Sequence, residues 1–240
     1  MRIVNYLILP LLFLYGCSCS HHVPKTRVGV DPSWYPLDFG LQRPYVNGFV
    51  EETLLDMARY EGSSFELIQT SSDSLKDGLR TGKYDAVLTS EPIRESTLAS
   101  FEFSSNLLDT GPVLITAKDG KWKSLDDMND ELVGVIAGDP TIALISKQPN
   151  IVIRSFNSVP ELLNAVVYGD VQAAVLNRIP AINFVRDLYA GELKIVGKPM
   201  TDQGLRLMTM KGKMGSFGVH LTSLQRKKDW PELLKKWGLE

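Results

Sequence analysis

Cysteine and histidine are scarce in this sequence and lie mostly at its N-terminal end. The two cysteines are Cys17 and Cys19, so residues 20–240 can form no disulfide and carry no thiol chemistry. Two of the three histidines, His21 and His22, are neighbours in the same stretch. A metal site built on histidine is therefore not expected, and no other cofactor is indicated.

Neither sign of charge is in large excess. The chain has 26 Lys and Arg against 28 Asp and Glu, a formal net charge of -2 and a pI near 6.0. Nucleic-acid binding requires a basic face, so nucleic acid is not an expected partner. Hydrophobic residues make up 44% and charged residues 22%, which is typical of a globular protein. The length of 240 residues allows one large domain or two lobes of roughly 100 residues each.

An apolar run covers residues 3–15 and follows the short basic start Met1-Arg2. A bilayer-spanning helix needs about 20 residues, so this run has the length of a secretory signal instead. It ends in the sequence LYGC at residues 14–17, which resembles a bacterial lipobox whose cysteine accepts a lipid. We expect residues 1–16 to be a lipoprotein signal peptide and residues 17–25 a tether that starts at the lipidated Cys17. An uncleaved anchor or a buried apolar helix are the alternatives.

Beyond residue 26 the hydrophobic pattern alternates between strand and helix. Short β-branched runs predict strands, and apolar residues at helical spacing predict helices. Strands are predicted at residues 27–30, 65–68, 84–88, 112–116, 132–136, 151–154, 171–176 and 205–210. Helices are predicted at residues 48–60, 72–81, 124–128, 142–146, 159–168, 180–189 and 230–237. The repeated strand–helix–strand order predicts an α/β fold with doubly wound parallel sheets.

Polar residues follow several of these predicted strands directly. They are Asp31, Thr89, Ser90, Asp139 and Asn177. Ligands of open α/β sheets bind beyond the carboxyl ends of the strands. We therefore expect these side chains to surround one cleft.

Eight segments occur in an order that resembles one known family. They are RVGVDPSWYPL, GKYDAVLTS, FEFSSNLL, KSLDDM, VGVIAG, AVVYGDVQAAV, LKIVGKP and LLKKWG. Together they resemble the polar amino-acid-binding family of type 2 periplasmic solute-binding proteins (bacterial extracellular solute-binding proteins, family 3). The resemblance implies two α/β lobes joined by two crossover strands, with the solute bound between them. Lobe one would comprise residues 26–110 and 200–240, and lobe two residues 113–197.

The resemblance also implies a function. A member of this family is a non-enzymatic, monomeric binding protein that passes a small polar solute to the permease of an ABC importer, here of the amino-acid-transport type. With the predicted lipid at Cys17, it would be attached to a membrane in the periplasm or cell envelope. We accordingly expect no catalytic residue.

The residues that match the family's carboxylate clamp depart from its pattern. Thr97 stands where the family has an arginine, and Asn177 stands where it has the acid that meets the ligand's ammonium group. Pro92 and Pro140 stand where backbone N–H groups are donated, and proline has none. The sequence thus predicts a ligand site that lacks the usual amino-acid clamp.

Most of the other candidate ligand residues also have a simpler structural interpretation. The full candidate set is Asp31, Trp34, Ser72, Thr89, Ser90, Glu91, Arg94, Thr97, Asp139, Thr141 and Asn177. Trp34 is expected to stack on the solute, but it could be a core residue. The hydroxyls of Thr89 and Ser90 could cap strand ends, and Asp31 and Asp139 could begin helices next to proline. The charges at Glu91, Arg94 and Arg178 could be solvated loop residues.

Three other functions stay open at this stage. The solute could be neutral or cationic and lack a free α-carboxylate. The protein could be a sensory or degenerate member that no longer binds a solute. It could also be a dehydratase-like enzyme on the same fold, with Glu91 or Asp139 as general acid.

Lipidation of Cys17 is directly testable. We expect a diacylglycerol-modified Cys17 as the mature N-terminus, because the short apolar run ends in a lipobox-like sequence. Mass spectrometry of the membrane fraction, with a Cys17→Ser variant as control, measures this. An unmodified Cys17 on a chain that keeps residues 1–16 would contradict the prediction.

Overall fold

The computed structural model describes residues 24–34, 37 and 39–240. The predicted signal peptide, Cys17 and nearly all of the tether lie outside the described residues. The strands of this part are β1 (Lys25–Val30), β2 (Ser64–Gln69), β3 (Ala86–Thr89), β4 (Phe101–Asp109), β5 (Pro112–Ala117), β6 (Leu132–Ile136), β7 (Val152–Phe156), β8 (Ala173–Asn177), β9 (Leu193–Val196) and β10 (Gly204–Met210). The helices are α1 (Arg43–Glu61), α2 (Ser72–Arg80), α3 (Glu95–Leu98), α4 (Thr141–Ile145), α5 (Val159–Val167), α6 (Arg178–Asn183), α7 (Gly215–Gln225) and α8 (Asp229–Lys236). Among these helices, none is long and apolar enough to cross a membrane.

The strands form two five-stranded sheets. The first has the order β2-β1-β3-β10-β4, and we call it, with α1 to α3, α7 and α8, the first lobe. The second has the order β7-β6-β8-β5-β9, and with α4 to α6 it forms the second lobe. The chain therefore passes from one lobe to the other twice, between β4 and β5 and between β9 and β10.

Each sheet is mixed, although the sequence pattern predicts parallel sheets. β1 is parallel to β2 and β3, and β6 is parallel to β7 and β8, as predicted. β10 is antiparallel to both of its neighbours, and so is β5. These two strands are the ones that arrive from the other lobe, so they enter their sheet without the helical crossover that makes neighbours parallel.

Some elements differ from the sequence prediction. α1 begins at Arg43 instead of residue 48, because Pro44 at its first turn is compatible with a helix start. The predicted helix over residues 180–189 is α6 followed by a π-helical turn at Phe184–Leu188. β1 already includes Lys25, which pairs with Ser64, so the strand takes in the last residue of the expected tether.

Four of the described elements were not predicted as strand or helix, namely β4, β9, α3 and α7. β4 has the sequence FEFSSNLLD, whose polar centre hides the strand alternation. α7 contains two glycines, and the hydroxyls of Thr222 and Ser223 donate to the carbonyls of Gly218 and Val219 four residues earlier. Such back-bonding residues have weak helix propensity, which is why the pattern is faint.

Apolar side chains pack on both faces of each sheet. In the first lobe, α1 and the C-terminal helices cover one face and α2 the other, where Leu79 and Tyr84 are buried. In the second lobe, α5 and α6 cover one face, and α4 covers the other. Ile179 and Ile182 of α6 belong to the core of the first lobe, so α6 contacts both lobes.

Hydrogen bonds join the two crossover segments to each other. The backbone N–H groups of Thr110 and Gly111 both donate to the carbonyl of Gln203, at 2.9 and 3.1 Å. The N–H of Met200 donates to the carbonyl of Pro112 at 2.7 Å. The crossovers therefore form one bonded hinge, which holds the carboxyl ends of the parallel strands of both lobes on the same side.

The packing of α1 against α8 gives a stability prediction. A Cβ on Gly48 would overlap the ring of Trp237, so Gly48→Ala should lower the free energy of unfolding by about 1–3 kcal/mol. The matched control is Gly218→Ala in α7, where the nearest atom belongs to the flexible Met214 side chain. There the alanine should be neutral or stabilise by up to about 1 kcal/mol. Urea denaturation measures both, and equal effects of the two substitutions would contradict this packing.

Candidate functional site

Two cavities adjoin the strand ends beside the hinge. The first-lobe cavity has a volume of about 410 Å³, and the hinge cavity, lined by both lobes and both crossovers, about 530 Å³. A third cavity, of about 500 Å³, lies between α1 and α8 and contains no predicted site residue. The first-lobe cavity brings together Asp31, Trp34, Ser72, Thr89, Ser90, Glu91 and Arg94. The hinge cavity brings together Asp139, Thr141 and Asn177, whereas Thr97 lines neither of the two.

The carboxylate of Asp31 binds backbone groups. One oxygen accepts from the N–H of Ser33 at 2.8 Å, and the other accepts from the N–H of Ser72 at 3.1 Å. Ser72 is the first residue of α2, so Asp31 satisfies an unpaired donor of that helix and places a negative charge at its N-terminus. Asp31 therefore fixes the loop after β1 against α2.

Asp139 has the same role in the second lobe. Its carboxylate accepts from the N–H of Thr141, the first residue of α4, at 2.8 Å. One oxygen of Asp139 therefore binds the start of α4, as expected for a residue that begins a helix.

Trp34 is a core residue more than a stacking platform. Only 4% of its surface is exposed, its ring packs near Phe39, and its indole N–H donates to the side chain of Asn47 at 2.7 Å. Its φ of 61° lies in the left-handed region, which costs a non-glycine residue about 1–3 kcal/mol. Trp34 thus lines the cavity as a buried, hydrogen-bonded residue.

Thr89 and Ser90 end the central strand of the first lobe and are buried. The hydroxyl of Thr89 accepts from the N–H of Glu91 at 3.1 Å, and the hydroxyl of Ser90 donates to the carbonyl of Trp34. Both hydroxyls therefore shape the strand end as caps while they line the cavity.

Lys76 is a cavity residue that the sequence analysis missed. Its ammonium lies 2.5 Å from a carboxylate oxygen of Glu91, and both side chains are about one-third exposed. Lys76 lies four residues after Ser72 on α2, so the two share a helix face. Because Ser72 was already a candidate residue, this spacing could have identified Lys76 as a further residue of the site.

The Thr97 hydroxyl is committed to its own loop. It donates to the carbonyl of Arg94 at 2.7 Å and accepts from the N–H of the same residue at 3.1 Å, which caps α3. The position of the family's arginine is thus occupied by a hydroxyl that faces the backbone. The Arg94 side chain is exposed and borders the cavity.

Two arginines near the hinge are buried to different extents. Burial lowers the pKa of the Arg178 guanidinium, and the nearby charge of Asp109 opposes the shift. Burial also lowers the pKa of Arg206, opposed by Asp202 and Asp109. Arg206 is 5% exposed and lies beside Thr89 in the sheet register, yet it lines neither site cavity.

The ionisable side chains that line the two cavities carry a net negative charge. The acids are Asp31, Asp73, Glu91 and Asp139, and the bases are Lys76 and Arg94, which leaves a net charge of -2. In an enclosed cleft such an excess disfavours an anionic group and favours a neutral or cationic one.

The fold and the inter-lobe cavity define the type 2 periplasmic binding protein class. Among solved structures, the L-cystine receptor of Neisseria gonorrhoeae, in an unliganded open conformation, superposes with a TM-score of 0.67 at 18% identity, over 90% of this chain and 93% of that one. An ancestral cyclohexadienyl dehydratase superposes with a TM-score of 0.66 at 19% identity, over 89% and 92%.

The family assignment follows from the sequence match. Residues 26–239 match the model of the bacterial extracellular solute-binding proteins, family 3, and the chain belongs to this family. A probable histidine-binding protein of Neisseria gonorrhoeae is 24% identical over 72% of this chain and 66% of its own length, just under two thirds. The glutamine-binding protein GlnH of Bacillus subtilis is 23% identical over 83% of this chain and 76% of its own length.

The role of Asp31 yields a prediction. Asp31→Ala removes the acceptor for two backbone N–H groups, so it should lower the free energy of unfolding by about 1–3 kcal/mol. The control is Asp77→Ala on α2, whose exposed carboxylate forms an ion pair with Arg80 and should matter by less than about 1 kcal/mol. Thermal and urea denaturation compare the two. A loss no larger than that of the control would contradict the capping role.

Proposed function

We propose that this protein is an extracytoplasmic solute-binding lipoprotein that delivers a small polar solute to an ABC importer of the amino-acid-transport type. Its family membership and its likeness to histidine- and glutamine-binding proteins support this proposal. The lobes comprise residues 26–110 with 200–240 and residues 113–197, and they close around the solute by rotation about the bonded hinge. A lipid on Cys17 holds the protein at a membrane of the cell envelope, where it acts as a monomer.

We further propose that the solute lacks a free α-carboxylate. The observation that carries this is the Thr97 hydroxyl, which already bonds both backbone groups of Arg94. Pro92 and Pro140 supply no N–H at the other two positions of the clamp. A carboxylate that is closed off from water needs charge or several donors, or its desolvation is uncompensated.

A neutral or cationic polar solute suits the remaining groups. The side chains that line the cavities have a net charge of -2. Glu91 places a carboxylate in the first-lobe cavity, where it forms an ion pair with Lys76. The side chain of Asn177 at the end of β8 offers an uncharged acceptor and donor. Of the candidate residues, we assign solute contacts to Ser72, Thr89, Ser90, Glu91, Arg94, Thr141 and Asn177.

A dehydratase activity is not favoured by the geometry of Glu91. A general acid must be positioned to reach the substrate, and the Glu91 carboxylate is instead engaged in an ion pair with the Lys76 ammonium at 2.5 Å. The likeness to a dehydratase structure therefore concerns the fold alone.

Matched pairs of free amino acids and their α-carboxamides test the solute class. Calorimetric titration with L-glutamine, L-histidine, their α-carboxamides and putrescine should show at least roughly tenfold tighter binding of a carboxamide than of its free acid. The reason is that each missing charged hydrogen bond to a carboxylate is worth about 1.5–3 kcal/mol, and 1.4 kcal/mol is tenfold.

Two variants complete this experiment. A micromolar free amino acid whose binding is lost in Arg94→Ala but kept in Arg80→Ala would show that Arg94 has replaced the family clamp, against our proposal. Arg80 is a fair control because it is an exposed arginine that pairs with Asp77 on the same lobe. Failure of the whole panel, extended to all twenty amino acids, would favour a sensory or degenerate protein.

A further inference from the structure

Three threonine hydroxyls beside the hinge have no hydrogen-bond partner among the described residues. Their oxygens belong to Thr110, Thr141 and Thr201 and are buried. Thr110 is 3% exposed and Thr141 is 5% exposed. A buried hydroxyl without a partner is unfavourable, so each such group requires an explanation.

The other buried threonines of the described chain are all satisfied. Seven threonines are buried, and five of them bond through the hydroxyl to a backbone group: Thr53, Thr89, Thr97, Thr116 and Thr209. The two exceptions are Thr110 and Thr141. Unsatisfied threonine hydroxyls are thus a property of this corner of the molecule and not of its buried threonines in general.

All three residues line the hinge cavity, and they come from three separate segments. Thr110 lies on the first crossover, Thr201 on the second, and Thr141 begins α4 of the second lobe. A Cβ on Gly111 would lie only 2.6 Å from the hydroxyl oxygen of Thr201, so the glycine permits the two crossovers to approach this closely. The register of β5 with β8 places Asn177 opposite Pro112 in the same corner.

Rotation about χ1 of threonine exchanges the positions of its methyl and hydroxyl groups. Because none of the three hydroxyls has a partner in the described chain, turning one towards the cavity breaks no hydrogen bond there. The cavity is otherwise lined largely by apolar groups, including Phe39, Leu144 and Ile179, where a hydrogen bond is worth more than in water.

We infer that Thr110, Thr141 and Thr201 form a hydroxyl subsite in the hinge cavity that binds a neutral hydrogen-bonding group of the solute, such as an amide or a hydroxyl. A hydroxyl both donates and accepts but carries no charge, so it matches a group that does the same. This inference rests on the proposed function and adds the crossovers to the ligand site.

Isosteric substitutions of the two crossover residues test the subsite. Thr110→Val and Thr201→Val each remove a hydroxyl and keep the shape of the side chain. The probes are L-glutamine amide and L-methionine amide, which differ by a terminal amide on a side chain of similar length. Wild type should bind L-glutamine amide more tightly, and each variant should lose roughly three- to tenfold of that preference, the worth of one neutral hydrogen bond.

The melting temperature without solute separates this role from a structural one. Because the hydroxyls are unpartnered, both variants should melt at or above the temperature of wild type. The matched control is Thr53→Val, whose hydroxyl donates to the carbonyl of Phe49 at 2.8 Å. It should melt lower and bind both probes as wild type does.

Several results would overturn the subsite. One is a fall in melting temperature of Thr110→Val as large as that of Thr53→Val, which would mean that the hydroxyl is already satisfied. Another is an unchanged preference between the two amides in both variants. If wild type binds neither amide, the subsite is wrong, and the proposed function fails with it only if the rest of the solute panel also fails.

Discussion

The hydrogen bonds between the two crossovers are the constraint on which the architecture depends. The backbone carbonyl of Gln203 accepts from the N–H groups of Thr110 and Gly111, and the N–H of Met200 donates to the carbonyl of Pro112. The two connections between the lobes therefore lie side by side as one hydrogen-bonded unit. Because the crossover strands β5 and β10 enter their sheets against the direction of their neighbours, the parallel strands of both lobes end at the hinge. The cavities and all but one of the candidate residues lie where those strands end.

Several charged side chains near this site already interact with other groups of the protein. Asp31 and Asp139 each bind the first N–H of a short helix, and Glu91 pairs with Lys76. Acidic residues that follow strands therefore have two roles, since they position the loops and set the potential of the cleft. These internal bonds leave mainly uncharged groups and a residual negative potential to recognise a ligand.

The sequence predicted most of the fold because strand and helix periodicity is strong where elements are buried. It predicted parallel pairing for strands linked by helices but not the reversed β5 and β10, because strand direction depends on the path between the lobes. The hydrophobic pattern contained no indication of the positive φ with which Trp34 turns into the core. The threonines of the crossovers were missed for a similar reason, since only the folded chain brings them beside residues that are distant in sequence. Lys76 differs from them, because its spacing from Ser72 on α2 was a signal that the sequence did contain.

The position of the hydroxyl subsite has a consequence for the order of binding. Residues on the crossovers move least when the lobes rotate about them, so Thr110 and Thr201 would meet a solute before closure. Asp139, by contrast, lies on the second lobe, so the proposed closure would bring it nearer to Asp31 and Glu91 of the first lobe. Bringing these like charges together in a drier cleft costs free energy unless the solute brings positive charge or satisfies them with donors. A solute that does so stabilises the closed form selectively, and only such a solute can report occupancy through closure.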